Sequence, residues 1–391
     1  MIYSTEQSTS ALTSEYNEKI LNFDFSEMRD DDLFKGRLGV VNYLSSFYEA
    51  TGDERYIAKI SELLESVLLN IENKTDNNLL KNSTLLSGAA GLGFILKDFI
   101  KKELLDEDDF AEQLRIVDEI IFENTLKFIS QEYYDYLSGP IGNLQYFLNS
   151  SGDHDVSLIL KHLERSSKNG KEFYTQSENI FVQGYNFGLK HGHLGIVKTY
   201  LDYLNKYGEN QYIVETIDRL LQNIINVLDF NYTIDKIHIF KYYNIYEEND
   251  NIIKRQNNRL SWCNSDLTFS YYLLKAGKLL KNQNYISLAE KIALETVKRT
   301  TFETTGIESH HFCHGSSGLA FLYDSLYKID NRSEYNEASQ YWIKRTREYL
   351  ILDLYKDISA NDLSWLYGGK LGALLVLNGM HNNNTLFKLL I

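Results

Sequence analysis

Two thiols and one imidazole stand out in this chain of 391 residues. Cys263 lies in Ser261-Trp262-Cys263-Asn264, and Cys313 and His314 lie in Phe312-Cys313-His314-Gly315-Ser316-Ser317-Gly318. No other cysteine occurs. Two sulfurs and a nitrogen are the number and type of ligands that leave a catalytic zinc one open coordination position, and an open position on a soft metal suits chemistry at sulfur. Cysteine is also a small core hydrophobe, so two unrelated buried thiols would fit the same count. The two readings part on whether folding brings positions 263 and 313 together.

An internal repeat supplies a reason for them to meet. Gly-x-x-Gly recurs at Gly36-Gly39, Gly88-Gly91, Gly139-Gly142, Gly192-Gly195, Gly315-Gly318 and Gly369-Gly372, with a degenerate copy at Ser265-Thr268. The starts at 36, 88, 139, 192, 265, 315 and 369 fall roughly fifty residues apart, apart from one longer interval between 192 and 265. Each copy opens an apolar helical pattern, then a polar turn, then a second amphipathic helix. After Thr51-Gly52-Asp53, for example, Ile57, Ile60, Leu63, Leu64, Val67, Leu68 and Ile71 recur three and four apart and predict a buried stripe. Leu201–Leu204 followed by 213–227, and 269–280 followed by 286–297, repeat that grammar. The last copy has only one helix, through Leu371–Leu377, so its partner is expected from the segment before Gly36. Seven hairpins closing on one another predict an all-α fold, an α/α toroid or double ring of helices, as one domain over residues 1–391. Glycines at the starts of its inner helices let backbones approach closely. They also aim helix N-termini at a central cavity, where partial positive charge favours anions.

In a closed ring, residues at the same phase of neighbouring repeats lie side by side. Cys263 sits just before the fifth start, and Cys313 and His314 just before the sixth. The three are therefore expected to converge on one zinc ion per chain. Repeat four carries His191 at this phase, in Gly188-Leu189-Lys190-His191-Gly192-His193-Leu194-Gly195. Repeat three carries Asp135, in Tyr134-Asp135-Tyr136-Leu137-Ser138-Gly139, and Arg259 stands four residues before Cys263. A lone histidine or aspartate before a helix is commonly a cap; the shared phase is what makes these three candidate catalytic groups.

The longer interval predicts an insertion near 230–258. Its segment from Asn231 to Tyr243 alternates and is rich in β-branched and aromatic residues, as a small hairpin would be, whereas the polar run from Glu247 to Arg259 reads as loop. A flap facing substrate and structural padding fit it equally. The clusters Arg29-Asp30-Asp31-Asp32 and Asp106-Glu107-Asp108-Asp109 fall outside the glycine phase and read as solvated loops, and His310 and His311 read as exposed.

Composition narrows the classes. Hydrophobic content of 43% and aromatic content of 13% suffice for a core, and a single proline, Pro140, favours helices joined by short loops. A formal charge of −14, with no basic block, argues against nucleic acid as a partner. No apolar run reaches the roughly 20 residues of a membrane span. The start, Met1-Ile2-Tyr3-Ser4-Thr5-Glu6, lacks the features of a signal peptide, and two cysteines without an export signal predict a cytoplasmic protein.

Gly188-x-x-His191-Gly192-x-x-Gly195, Trp262-Cys263 and Cys313-His314-Gly315-x-x-Gly318, set on a sevenfold glycine repeat, resemble the lanthionine synthetase C-like proteins, the cyclases of lantibiotic biosynthesis. The resemblance covers essentially the whole chain. It implies an α/α toroid with zinc on Cys263, Cys313 and His314, and an active-site histidine, aspartate and arginine at His191, Asp135 and Arg259. The activity it implies is addition of peptide cysteine thiols to dehydroalanine or dehydrobutyrine in a dehydrated precursor peptide. It also implies a dehydratase and a membrane exporter as companions, and association with the membrane through them. One departure is local. The family has Trp-Cys-Tyr-Gly-x-Pro-Gly around its first zinc ligand, where this chain has Trp262-Cys263-Asn264-Ser265-Asp266-Leu267-Thr268. Asn264 cannot act as a phenolic acid. A zinc-stabilised peptide- or thiol-binding relative without cyclase activity is the alternative reading. A prenyltransferase-type thiol-alkylating enzyme is a further one, but the diphosphate-binding cluster it needs is not evident.

Overall fold

A computed structural model describes residues 8–149, 153–169, 171–230 and 238–391. In chain order the helices are α1 (Thr9–Leu21), α2 (Arg37–Thr51), α3 (Glu54–Glu72), α4 (Ala89–Lys101), α5 (Glu107–Ser130), α6 (Pro140–Asn149), α7 (Asp153–Asn169), α8 (His193–Tyr207), α9 (Gln211–Ile225), α10 (Asp266–Leu279), α11 (Gln283–Val297), α12 (Phe302–Thr305), α13 (Ser316–Asp330), α14 (Ser333–Asp353), α15 (Leu371–Leu377) and α16 (Thr385–Leu390). Three strands, β1 (Tyr185–Asn186), β2 (Tyr242–Glu248) and β3 (Asn251–Gln256), form one antiparallel sheet in the order β1-β2-β3. The chain divides into two compact units. One comprises Met1–Asn82, Leu86–Leu105 and Ile307–Ile391, the other Ser83–Leu85 and Asp106–Gly306.

The repeat is visible in each unit. Gly36, Gly88, Gly192 and Gly315 are the N-caps of α2, α4, α8 and α13, and Ser265 takes that place before α10, its hydroxyl accepting from the Thr268 N–H. Hydroxyl capping replaces glycine in the degenerate copy, because either satisfies the helix start. The first helix of a pair is buried on every side: α8 buries each residue from His193 to Leu201. The second buries one stripe, as α9 does with Ile213, Thr216, Ile217, Leu220, Leu221 and Ile224. In α3 that stripe is Tyr56, Ile60, Leu63, Leu64 and Val67, whereas Ile57, Leu68 and Ile71 are only half-buried, at the edge of the apolar face.

Backbone hydrogen bonds stitch neighbouring loops at the helix starts. In the unit holding Asp106–Gly306, the Leu137 N–H donates to the Lys190 carbonyl at 3.2 Å and the Leu189 N–H to the Cys263 carbonyl at 2.7 Å. In the other unit, Cys313 N–H donates to Leu366 at 3.0 Å and Trp365 N–H to Phe34 at 2.8 Å. Sequence neighbours one repeat apart are thereby spatial neighbours. Gly142 and Gly195, the second glycines of their motifs, make room for this in the unit holding Asp106–Gly306. A Cβ on Gly195 would stand 2.6 Å from the Cβ of Tyr136, and one on Gly142 2.0 Å from the Tyr136 carbonyl oxygen. The single helix of the last repeat finds its partner near the N-terminus, as expected: the Asn378 amide after α15 donates to Thr13 of α1 at 2.8 Å.

Three sequence readings are corrected. The run from Glu247 to Arg259 is not a loop, because β3 occupies Asn251–Gln256 and pairs with β2 through a turn in which Asn249 and Asp250 both have positive φ. One face of that strand is solvent-facing, so polarity alone disguised it. The part of the expected hairpin at 231–237 lies outside the described residues. Asp31 and Asp32 are buried rather than solvated. Asp31 pairs with Arg37 at 2.6 Å, and Asp32 accepts from the N–H groups of Phe34 and Lys35. His310 is buried and His311 half-buried, their rings 4.8 Å apart, because the polypeptide packs over the start of α13, where the Ser317 hydroxyl donates to the His310 carbonyl.

Candidate active site and metal centre

The His191 loop is built by the segment leading into it. β1 pairs with β2, the Phe187 N–H donates to the Tyr243 carbonyl at 2.9 Å, and the Asn186 side chain accepts from Gly188 N–H at 2.8 Å. The chain then turns so tightly at Gly192 that any Cβ there would lie 1.8 Å from the Asn186 carbonyl oxygen. His191 is thus fixed between a strand end and a helix start. Its Nδ1 lies 2.5 Å from Asp135 Oδ2. Asp135 is wholly buried, and its other oxygen accepts from the Ser138 N–H at 2.7 Å. A carboxylate held in this way fixes the imidazole tautomer with the proton on Nδ1. His191 Nε2, which has no protein partner among the described residues, is then the nitrogen left for chemistry, and the ring keeps 24% of its side-chain surface exposed. Asp135 also bears on Tyr133, whose phenol is pushed above its ordinary range first by burial and then by the nearby carboxylate charge.

Cys263 and Cys313 are buried, His314 is half-buried, and neither cysteine forms a disulfide. One ligand atom from each of the three residues lies within 4.8 Å of the others, a group able to hold a metal ion. Tetrahedral zinc, with bonds of about 2.0–2.3 Å, sets its ligand atoms roughly 3.3–3.8 Å apart, so slight contraction suffices. The donor set, two soft thiols and an imidazole, fits zinc in preference to magnesium or calcium. The His314 ring packs edge-on against Tyr367 with centroids 5.3 Å apart, which limits its rotation.

Around Cys263 stands a network of hydroxyls. Ser261 Oγ donates to the Asn264 carbonyl at 2.8 Å and accepts from Asn264 N–H at 3.2 Å, while Ser265 and Thr268 both donate to the Ser261 carbonyl. The Asn264 side-chain oxygen lies 3.0 Å from Cys263 Sγ. Arg259 is not bonded to the dyad among the described residues; its Nε donates to Asn258 at 3.2 Å. A supporting pair escaped the sequence reading: buried Asp266, at the first position of α10, bonds Arg299 at 2.5 Å and also accepts from the Phe240 N–H at 2.5 Å. It ties the insertion to the helix that follows Cys263. An acid in the first helical turn was the visible signal.

Helical hairpins whose connecting loops present a two-thiol, one-imidazole group and a buried His–Asp pair describe a helical-repeat protein equipped for chemistry at its loop ends. The profile of one family, lanthionine synthetase C-like protein, matches residues 27–391, and the chain belongs to that family. It is 27% identical over 382 residues to "Nisin biosynthesis protein NisC" of Lactococcus lactis subsp. lactis, an alignment spanning 91% of this chain and 86% of that protein. The solved structure of "Nisin cyclase" is similar with a TM-score of 0.72 at 21% identity, covering 98% of this chain and 96% of that one. That likeness gives the fold class as the α/α toroid expected from the glycine repeat, here with a small three-stranded sheet. Among the described residues, no helix is long and apolar enough to cross a membrane.

Proposed function

We propose that the protein is a lanthionine-forming cyclase acting on a dehydrated precursor peptide, with one zinc per chain. The observation that carries this reading is the group of Cys263, Cys313 and His314, with ligand atoms within 4.8 Å of one another, in a chain related to a protein named for nisin biosynthesis. In the reaction a cysteine S–H adds across the Cα=Cβ bond of dehydroalanine or dehydrobutyrine: the S–Cβ bond forms, the double bond becomes single, and a proton arrives at Cα. Zinc held by Cys263, Cys313 and His314 would bind the peptide thiol and deprotonate it, as coordination does. His191 handles the proton at Cα through Nε2, since its ordinary pKa lies nearest neutrality. Asp135 positions that ring through the bond to Nδ1. Arg259 is assigned to the negative charge that develops on the enolate oxygen, which requires its guanidinium to leave Asn258 when substrate binds.

The reading takes residues 1–391 as one cyclase domain, because the family match and the likeness to nisin cyclase run through nearly all of it. It carries a cytoplasmic location with a dehydratase and an exporter as companions. Asn264 favours a second reading, a thiol- or peptide-binding relative without catalysis, since an amide stands against Cys263 Sγ where the family has a phenol. One experiment separates the two. Metal analysis of the wild type with Cys263→Ala and Cys313→Ala should give about one zinc per chain in the first and near none in the others. The zinc-loaded wild type, given a dehydrated precursor, should then consume free thiols. Zinc bound without thiol loss supports the binding reading, and no zinc in wild type defeats both.

A further inference from the structure

The middle of α8 and α10 holds a polar cluster apart from the His191 and Asp135 pair. Lys198, with its side chain wholly buried, donates to Asp202 Oδ2 at 2.8 Å. From α10, Lys275 reaches only to 3.9 Å of the other carboxylate oxygen, outside hydrogen-bond range, with 21% of its side chain exposed. The two ammonium groups lie over tyrosine rings, Lys198 5.6 Å from the centroid of Tyr136, and Lys275 5.6 Å and 6.0 Å from those of Tyr271 and Tyr272. Burial and then the Asp202 charge raise the pKa values of the Tyr136 and Tyr271 phenols, and the Tyr272 phenol is raised by burial, by Tyr271 and Tyr136, and lastly by Asp202, so all three lie near the same carboxylate. The Tyr272 hydroxyl is buried without a hydrogen-bond partner.

The cluster is unbalanced in charge and in hydrogen bonding. Two cations face one anion, which leaves an excess positive charge among aromatic walls, where an uncompensated charge is costly. Among the described residues donors outnumber acceptors too: the half-buried Lys275 ammonium lies 3.9 Å from Asp202, beyond hydrogen-bond range, and the buried Tyr272 O–H has no partner. The buried Tyr272 donor, left unmatched, costs the full desolvation of that group. Burial, with the Lys198 charge adding to it and Asp202 opposing, holds the Lys275 pKa below its ordinary value, the response of an ammonium short of a counter-ion.

We propose that Lys275, Lys198 and Tyr272 form a binding site for a small singly charged anion, a halide or a carboxylate, which completes the Lys198–Asp202–Lys275 cluster. The site joins α8, which begins beside His191, to α10, which begins just after Cys263. Bound anion therefore stabilises the pair of helices that carries both loops. The cluster's net charge calls for one negative charge rather than two, which sets phosphate and sulfate apart.

The test is thermal unfolding of the full-length protein, zinc-loaded, at constant ionic strength as sodium gluconate is replaced by chloride or by acetate. Wild type should show a saturating rise in Tm of about 2 °C or more with at least one of the two, and the more effective ion identifies halide or carboxylate. The rise should vanish in Lys275→Met, which keeps the stem and removes the excess charge, and shrink in Tyr272→Phe. A flat wild-type response, or the same response in all three chains, as an anion held at the zinc would give, overturns the proposal. Should Lys275→Met fail to fold, wild-type crystals soaked in bromide and, separately, in 3-bromopropionate decide the matter. Anomalous bromine signal from either ion beside Lys275 Nζ supports the site, and its absence from both removes it.

Discussion

Replacing Asp135 by asparagine is the sharpest perturbation of the proposed chemistry, because it changes a charge and a tautomer while leaving volume almost untouched. The Asp135 carboxylate has two bonds to preserve, one from Ser138 N–H at 2.7 Å and one with His191 Nδ1 at 2.5 Å. An amide has only one oxygen. If that oxygen stays on the Ser138 N–H, the NH2 group faces His191 Nδ1 and requires a lone pair there. The imidazole proton then moves to Nε2, the nitrogen that must exchange a proton with substrate. If the oxygen faces His191 instead, the half-buried Ser138 N–H loses its carboxylate acceptor at the turn before α6. Either way the bond to a charged group, worth about 1.5–3 kcal/mol, is gone.

General acid–base catalysis contributes about 10²–10⁴ in rate, so a ring in the wrong tautomer should slow thiol consumption by roughly 100-fold or more. A 100-fold loss corresponds to about 2.7 kcal/mol in the barrier. Zinc content should stay near one per chain. The assay is a time course of free thiols in a dehydrated precursor, run from pH 6 to 9 on zinc-matched wild type and Asp135→Asn. An Asp135→Asn enzyme that cyclises at the wild-type rate, with the same pH profile, would show that the dyad has no part in proton transfer.

Three further outcomes concern stability. Burial raises the Asp32 carboxyl from 3.8 to about 6, so the folded state binds a proton more readily than the unfolded chain and stability falls as pH rises from about 4 to 6; Asp32→Asn, which keeps an acceptor for Phe34 and Lys35, should be more stable than wild type above pH 6 by up to about 3 kcal/mol in urea denaturation, and equal to it near pH 3.5. His193 behaves in the opposite sense, burial lowering it from 6.5 to about 4. Its contribution is intact above pH 6.5 and lost as pH falls through 4, so wild type should lose about 3 kcal/mol relative to His193→Leu across that window, measured by the same titration. Gly195→Ala should cost about 1–3 kcal/mol and lower Tm, because the new Cβ would stand 2.5 Å from the Leu189 carbonyl oxygen; an unchanged Tm would mean that the loop yields freely.

The glycine phase could be read from sequence because it answers a backbone requirement. Gly39, Gly142, Gly195 and Gly372 stand where a neighbouring loop leaves no volume for a side chain, so the need recurs along the chain. The same regularity placed Asp135 and His191 side by side across 56 residues of chain. What escaped were features set by neighbours that carry no periodic mark. Asp31 looks like part of a solvated acidic run until Arg37 and Asn70 close over it at 2.6 and 2.8 Å. Strand β3 looks like a polar loop because solvent takes one side of it, and its partner β2 is what makes it a strand. Lys198 and Asp202, four apart on α8, resemble an exposed helix pair, and only the packing that covers α8 from His193 to Leu201 buries the Lys198 ammonium against a half-buried carboxylate.

The turn that carries Cys263 is built from side-chain hydrogen bonds. Ser261, Ser265 and Thr268 bind the backbone of the 261–264 segment directly, with the Ser265 cap fixing the start of α10. Side chains thus hold the turn. Substituting Ser261 by alanine removes the hydroxyl that bonds the Asn264 backbone and side chain together. If the network positions Cys263, that change should weaken zinc retention against a chelator about 10-fold or more, as loss of groups supporting a metal ligand does, while Cys313→Ala abolishes it. If the thiol is held by packing alone, Ser261→Ala will release zinc at the wild-type rate.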